Sequence, residues 1–351
     1  MRIAVVLRDP PPQSERAGAL RLRRLAATLD DRGHEVTIYC HPWWGRAGRR
    51  IDINGIDHEG VSFEHSAMYY SRLPGLLARR DPDIVVASAS PPGAVVSAWL
   101  GARLARVPLF CDWYGDEPEG ADSRWLRSAA SLPTQVVTPS ELQRTRVREL
   151  GGTEANTTVV PGGIGFSKIA ATDPAERVDV AYAARLDDDS NLEDLLLALA
   201  ELRDRDGWRA TVIGDGPERV AFETQARDLR IADRVTFVGE ADREKRIGIY
   251  RGAHTFVQTA RRQTFAEELL WALAAGCVGI VEIQGDSSAH ELVERRDRGL
   301  RVTDMEALDE AIESAWEFGY RDIDTAFQGF DHAAVTGAYV ELFREFGVGA
   351  R

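Results

Sequence analysis

Three short stretches in the second half of the chain carry the residues best suited to act on a ligand. The first is Val212-Ile213-Gly214-Asp215-Gly216-Pro217-Glu218, which reads as a strand end, a glycine turn and a helix start. Glycine lets a backbone approach a ligand closely, and the N–H groups at a helix start attract an anion. Any strand-to-helix turn needs glycine, so this stretch alone selects no ligand. The second is Ala181-Tyr182-Ala183-Ala184-Arg185-Leu186, an apolar run that ends on Arg185. A guanidinium there can grip a diphosphate at two points and stabilise charge that builds on a departing phosphate. The third is the loop Gln263-Thr264-Phe265-Ala266, followed by an Ala/Leu-rich stretch that ends at Gly276.

These stretches need elements to hold them, and the hydrophobic pattern supplies a repeating strand–helix alternation. Short apolar runs at Ile3–Leu7, Val36–Cys40, Asp83–Ala87, Val107–Cys111, Gln135–Thr138 and Thr157–Val160 read as buried strands. A second cycle follows at Val178–Ala183, Ala210–Ile213, Arg234–Val238, Thr255–Gln258, Val278–Glu282 and Leu300–Thr303. Helices are expected at Ser14–Asp31, Leu192–Arg203, Pro217–Leu229, Ala266–Ala275, Ser288–Arg295 and His332–Phe346. Strands apolar on both faces mark parallel sheets covered by helices on each side. The class is therefore α/β, with two Rossmann-like halves joined near Gly162–Asp173. Doubly wound sheets bind ligands at the carboxyl ends of their strands.

The ordered set of motifs resembles the family-4 retaining glycosyltransferases of the GT-B fold over nearly the whole chain. The resemblance rests on Arg32-Gly33-His34-Glu35-Val36, Val159-Val160-Pro161-Gly162-Gly163-Ile164, Ala183-Ala184-Arg185-Leu186, Gly214-Asp215-Gly216-Pro217, Val235–Gly239, Leu273–Cys277 and His290-Glu291-Leu292-Val293. It implies two Rossmann-like domains facing across a cleft. Residues 1–168 would form an acceptor domain and residues 169–328 a donor domain. Residues 329–351 would form a helix that crosses back to the first. It also implies transfer of a sugar from a nucleotide-sugar donor with retention, no cofactor and no obligatory metal. In this scheme Arg185 clamps the donor diphosphate, Gly214 and Gly216 line the nucleotide, and Gly18 faces the phosphates. Gln263, Thr264, Phe265 and Ala266 meet the transferred sugar.

The chain departs from the family at three positions. Ser190, expected among the donor contacts, stands where the family places a lysine, and Gln263 and Trp271 stand where it places two glutamates. The amide of Gln263 still donates to and accepts from sugar hydroxyls. Trp271 cannot accept from ribose hydroxyls, but Glu267 and Glu268 lie one helical turn earlier. One of them is expected to take that contact; the alternative is two first-turn acids favoured by the helix dipole.

On the acceptor side, Asp112-Trp113-Tyr114-Gly115-Asp116 follows a first-domain strand. Asp112 or Asp116 suits a proton acceptor or a hydroxyl partner, and Trp113 and Tyr114 suit stacking on a sugar. The alternative is an acidic surface loop with aromatics over the core. Asp187-Asp188-Asp189 reads as a solvated turn rather than a metal site. Arg16, Arg21, Arg23 and Arg24, with Arg46, Arg49 and Arg50, offer a basic patch for an anionic lipid head or peripheral membrane contact. Of seven histidines without metal-ligand spacing, His290 lies nearest a donor-side loop.

Composition narrows the function classes. The 351 residues carry a net charge of −13, which disfavours nucleic acid as a partner. Only Lys168 and Lys245 among the 43 basic residues are lysine, a balance that suits a halophile's cytoplasmic protein or a GC-rich coding bias. Cys40, Cys111 and Cys277 show no paired spacing and read as buried thiols in a reducing compartment. The charged N-terminus is unlike a signal peptide, and the longest apolar stretch, Pro91–Leu104, is broken by Arg103. The expected setting is the cytoplasm, with peripheral contact at the inner membrane face, in cell-surface or lipid-linked glycan synthesis. Rival readings are a sugar-nucleotide-binding scaffold without turnover, a nucleotide-sugar epimerase and a nicotinamide-dependent dehydrogenase. No GxGxxG follows the first strand to support the last.

Overall fold

The computed structural model describes residues 1–45, 48–62, 66–117 and 120–349. Arg46 and His65, named above among the arginines and histidines, lie outside the described residues. The backbone packs into two compact units. One is Met1–Gly162 with His332–Arg351, and the other is Gly163–Asp331.

The first unit runs β1 (Arg2–Val6), α1 (Ala17–Asp30), β2 (Glu35–Cys40), β3 (Arg50–Ile53), β4 (Ile56–Gly60), α2 (Ser66–Arg80), β5 (Ile84–Ser88), α3 (Pro92–Ala105), β6 (Leu109–Asp112), α4 (Ser123–Ser131), β7 (Gln135–Thr138), α5 (Glu141–Glu149) and β8 (Thr157–Val159). The second runs α6 (Phe166–Ala171), β9 (Val178–Ala183), α7 (Leu192–Glu201), β10 (Ala210–Ile213), α8 (Arg219–Asp228), β11 (Val235–Gly239), α9 (Arg243–Gly252), β12 (Ala253–Gln258), β13 (Arg262–Gln263), α10 (Glu267–Ala274), β14 (Val278–Glu282), β15 (Asp286–Ser287), α11 (Ala289–Val293), β16 (Gly299–Val302) and α12 (Leu308–Ala315). The chain then returns to the first unit as α13 (His332–Glu345).

The larger sheet of the second unit has the order β11-β10-β9-β12-β14-β16, parallel throughout. Its strand order reverses between β9 and β12, where a doubly wound sheet opens a crevice at its carboxyl edge. The first unit's sheet has the order β3-β4-β2-β1-β5-β6-β7-β8 and reverses between β1 and β5. Side-chain alternation divides its core between two faces. Ile3, Val5 and Leu7 pack with α1 and α13, while Ala4 and Val6 pack with α2 and α3.

Two strands escape the search for apolar runs. β3 and β4 form an antiparallel hairpin at the sheet edge, with Ile53 opposite Ile56. Asn54 and Gly55 both take positive φ, the two-residue turn that Asn-Gly favours. α1 also starts later than its pattern suggests, at Ala17 rather than Ser14, without a side-chain cap.

A buried polar cluster holds α13 on the first unit. Arg21 of α1 donates through Nε to Asp112 Oδ2 at 3.2 Å, and through its terminal nitrogens to the carbonyls of Val160 and Pro161 and to Tyr339 Oη. Tyr339 in turn donates to Asp112 Oδ2. Burial works against the charge on Arg21, but Asp112 and Tyr339 outweigh it and hold the guanidinium pKa above its ordinary value. Around the cluster Phe110 meets Phe343 edge-on at 5.1 Å.

Removing one member of a buried ion pair strands its partner. Arg21→Met is expected to cost about 3–5 kcal/mol in denaturant unfolding. Tyr339→Phe, which loses one hydroxyl, is expected to cost about 1–2 kcal/mol.

Candidate functional site

At the carboxyl edge of the second unit, two turns press against each other. Ala184 N–H donates to the Ile213 carbonyl, Leu186 N–H to that of Asp215, and Glu218 N–H to that of Leu186. This leaves no room for side chains. A Cβ on Gly214 would lie 1.9 Å from the Ala184 oxygen, and one on Gly216 would lie 2.1 Å from the Leu186 oxygen. The contact between turns therefore requires both glycines, whatever the ligand. Gly214 N–H is spent on the Gly239 carbonyl and Gly216 N–H on Asp215 Oδ1, so neither is an open anion donor.

Arg185 stands between these turns. Its side chain is 75% exposed, and it pairs with Asp187 at 3.4 Å. The next turn packs tightly. Ser190 is buried, its hydroxyl donates to the Asp187 carbonyl, and its own carbonyl accepts from Tyr182 Oη. A hydroxyl so placed does not face a donor, which corrects the expectation for Ser190. Arg261 ties this turn to the loop after β12. Its N–H donates to the Asp189 carbonyl, and its guanidinium to the Asp188 carbonyl and Asn191 Oδ1. Asp187–Asp189 thus form a turn, and among the described residues no group of acids, histidines and cysteines could hold a metal ion.

Arg261 leads directly into β13. Gln263 pairs with Ser287 of β15, and its carbonyl accepts from Ser288 N–H at 2.8 Å. The Thr264 carbonyl accepts from the Ser288 hydroxyl. Phe265 and Ala266 are buried, so their side chains hold the loop down rather than face a sugar. His290 is engaged with the Ser287 carbonyl at 3.2 Å.

Glu267 and Glu268 are both engaged by neighbouring side chains, to different extents. Glu268 accepts from Arg243, Arg246 and Tyr250, and these donors occupy both carboxylate oxygens. That fills the acceptor capacity of a carboxylate and removes Glu268 from contact with ribose. Glu267 Oε1 accepts from Arg243 and from the indole N–H of Trp271. Trp271 is buried, with Arg243 over its ring at 5.0 Å.

Sequence reasoning missed a buried acid behind this edge. Glu282, at the end of β14, accepts from Asn191 at 3.2 Å and from Gln284 at 2.8 Å. Burial and the nearby Asp194 carboxylate raise its pKa to about 7. The signal was an acid closing an otherwise apolar run, Val278–Val281.

In the first unit, Asp112 is 4% exposed and committed to Arg21 and Tyr339, so it is no proton acceptor for a substrate. Trp113 is buried in the core beside β5 and offers no stacking face. Tyr114 lies against α1, its Cβ where a Cβ on Gly18 would clash at 2.9 Å. Gly18 sits in the first turn of α1 and donates its N–H to Asp116 Oδ2 at 2.8 Å. Asp116 keeps a place on a polar chamber of about 230 Å³. Arg8, Arg16, Ser88 and Ser90 also line that chamber, at the carboxyl ends of β1 and β5. Burial raises the Asp116 pKa, against the pull of Gly18 N–H and Arg16. Two members of the expected basic patch are engaged within the fold: Arg21 points inward and Arg50 pairs with Glu59.

Comparison with known proteins meets the same architecture. Solved structures share it over both units. Sucrose-phosphate synthase from Thermosynechococcus elongatus is 17% identical, with 98% of each chain covered and a TM-score of 0.71. HepE from Anabaena in complex with UDP is 18% identical, with 98% of this chain and 100% of that chain covered and a TM-score of 0.76. The apo form of the lipopolysaccharide outer core galactosyltransferase WaaB is 16% identical, with 98% and 100% covered and a TM-score of 0.74. At such identities the likeness concerns the fold, which is GT-B. Residues 17–163 match the family described as glycosyl transferase 4-like domain, and residues 168–319 match glycosyl transferases group 1. The chain is thus a GT-B glycosyltransferase built from these two family domains. No curated protein sequence matches it.

The raised value of Glu282 gives a pH prediction. Folding raises its pKa from 4.5 to about 7, so the folded state holds the proton longer than the unfolded chain. Stability from this group is present below about pH 4.5 and is lost as pH rises through 7. Glu282→Gln should therefore stabilise the protein at pH 8 by about 1–3 kcal/mol, with the gain shrinking toward pH 5. Urea unfolding of both proteins across that range checks it.

Proposed function

We propose that the chain transfers a sugar from a nucleoside-diphosphate sugar, with retention and without an obligatory metal, to a glycan or lipid-linked acceptor. The observation that carries this reading is Arg185, a largely exposed guanidinium at the carboxyl edge beside the reversal of strand order, between turns that only glycine permits. An exposed guanidinium in that position suits a diphosphate and the charge that develops on it as the sugar departs. Gln263 supplies an amide for sugar hydroxyls. Asp116, on the polar chamber of the first unit, is the acceptor-side acid. The GT-B neighbour HepE was solved with UDP, which makes uracil the first base to try. The family-4 pattern supports retention, and glycan synthesis at the cell surface is the setting that the neighbouring WaaB suggests. No described helix is long and apolar enough to cross a membrane.

A second reading has its own observation. The acids near the donor loop are turned to internal use: Glu268 is saturated by Arg243, Arg246 and Tyr250, and Glu267 holds Trp271. A protein that binds a sugar nucleotide as a scaffold, without turnover, fits that loss.

A donor screen separates the two. UDP-, GDP- and ADP-sugars are mixed with wild type and Arg185→Ala, and thermal shift and nucleoside-diphosphate release are read together. The expected result is stabilisation by one donor and release that falls at least about 100-fold in the variant. Stabilisation without release, with acceptors present, would favour the scaffold. No stabilisation by any donor would remove the donor-site assignment.

A further inference from the structure

One cavity of the first unit has no part in the chemistry above. It is a groove of about 660 Å³ whose walls include Tyr70, Pro91, Val96, Trp99, Leu100 and Trp125, from α2, α3 and α4 and the turn before α3. The lining is overwhelmingly apolar. Leu100 is 47% and Trp125 49% exposed, and Leu104, one turn further along α3, is 58% exposed. Side chains this large and this open are costly to leave in water, and together they mark a binding surface. Its volume is that of a small-molecule site.

The groove does not stand alone. Pro91 lines both the groove and the polar chamber that holds Asp116. Tyr70 joins the two as well. Its ring forms a wall of the groove, while its hydroxyl accepts from Arg8 Nη1 at 2.9 Å at the chamber. A tyrosine presents an apolar body and a polar tip, so the lining changes character across one side chain. Beyond it the chamber offers Arg8, Arg16, Ser88, Ser90 and Asp116. Arg16 donates to Ser90 Oγ at 2.8 Å, and Asp116 receives Gly18 N–H, so these polar groups are fixed in place.

We propose that this groove holds the hydrocarbon chain of an amphipathic, lipid-linked acceptor whose hydroxyl-bearing head occupies the chamber beside Asp116. The inference rests on the transferase reading and names the acceptor class for it. An apolar groove that shares a wall with a fixed polar chamber fits one molecule with a tail and a head, rather than a free oligosaccharide, which would leave the groove bare.

The test uses the full chain and three probes at monomeric concentration: glucose, octyl β-glucoside and decyl β-glucoside. Titration calorimetry gives the affinities. Each buried methylene is worth about 0.8 kcal/mol, or about fourfold. The decyl compound should therefore bind up to about 15-fold more tightly than the octyl compound, and glucose should bind more weakly than either. Leu100→Ser with Trp125→Ala, two exposed positions, should reduce the decyl-to-octyl ratio to under about threefold without moving the unfolding midpoint. Equal affinities for the two glucosides would overturn the proposal, and so would an unchanged ratio in the double variant. It also fails if the protein ignores monomeric glucosides but binds phosphatidylglycerol vesicles, which would make the groove a membrane face. Concentration-dependent dimers abolished by the double variant would assign the groove to a second copy and equally overturn it. Donor-induced thermal shift is read on the same samples. Loss of chain-length dependence with donor binding intact refutes the lipid groove alone, whereas absence of donor binding refutes the transferase reading beneath it.

Discussion

One buried guanidinium sets how the first unit closes. Arg21 has to be neutralised and hydrogen-bonded where it lies, because an unpaired charge in a core is among the costliest features a fold can carry. Asp112 supplies the charge, Tyr339 the shared hydroxyl, and the carbonyls of Val160 and Pro161 take the remaining donors. These partners come from the end of β6, the exit of β8 and the final helix. A single side chain thereby specifies where three distant segments end. It also decides what Asp112 cannot do, since an acid committed to this cluster is closed to a substrate. Of Asp112 and Asp116, the two acids expected on the acceptor side, Asp116 is the one that lines the chamber.

In the second unit, backbone packing and side-chain pairing hold different parts of the carboxyl edge. The glycine turns and the exposed Arg185 depend on backbone packing and persist. Around α10 the polar groups have been redirected. Trp271 is buried beneath Arg243, and Glu268 binds two arginines and a tyrosine. These contacts join α9 to α10 and stabilise the unit. Any contact to a nucleoside must then come from elsewhere, from backbone groups or from Glu267.

The framework was legible in the sequence because parallel strands buried on both faces have to be apolar runs, as β5 and β14 are. The β3–β4 hairpin was readable from Asn54-Gly55 between isoleucines, but not by a search for apolar runs, since Arg50 and Asp52 alternate with them. Within the candidate site, Arg185 and both glycines were read from strand ends that run into turns, and their roles from the family resemblance. The fates of Asp112, Ser190 and Glu268 did not. Asp112 meets a tyrosine 227 residues away, and Glu268 meets an arginine 25 residues away on another helix. Pairings at such separations are decided by tertiary packing, which local residue patterns do not encode. Trp113 shows the same limit: an aromatic in an acidic loop reads alike whether its ring faces solvent or core.

The return of α13 to the first unit has a consequence for the order of synthesis. The first unit is discontinuous in sequence, with Gly163–Asp331 inserted between its two parts. When residue 162 leaves the ribosome, Arg21 and Asp112 exist but Tyr339 and Phe343 do not. The second unit must be translated in full before they arrive, a delay on the order of 10–30 s at common elongation rates. During that interval the face of the sheet around Phe110 lacks its cover, so the nascent first unit is an incomplete core that only the last stretch of the chain can seal.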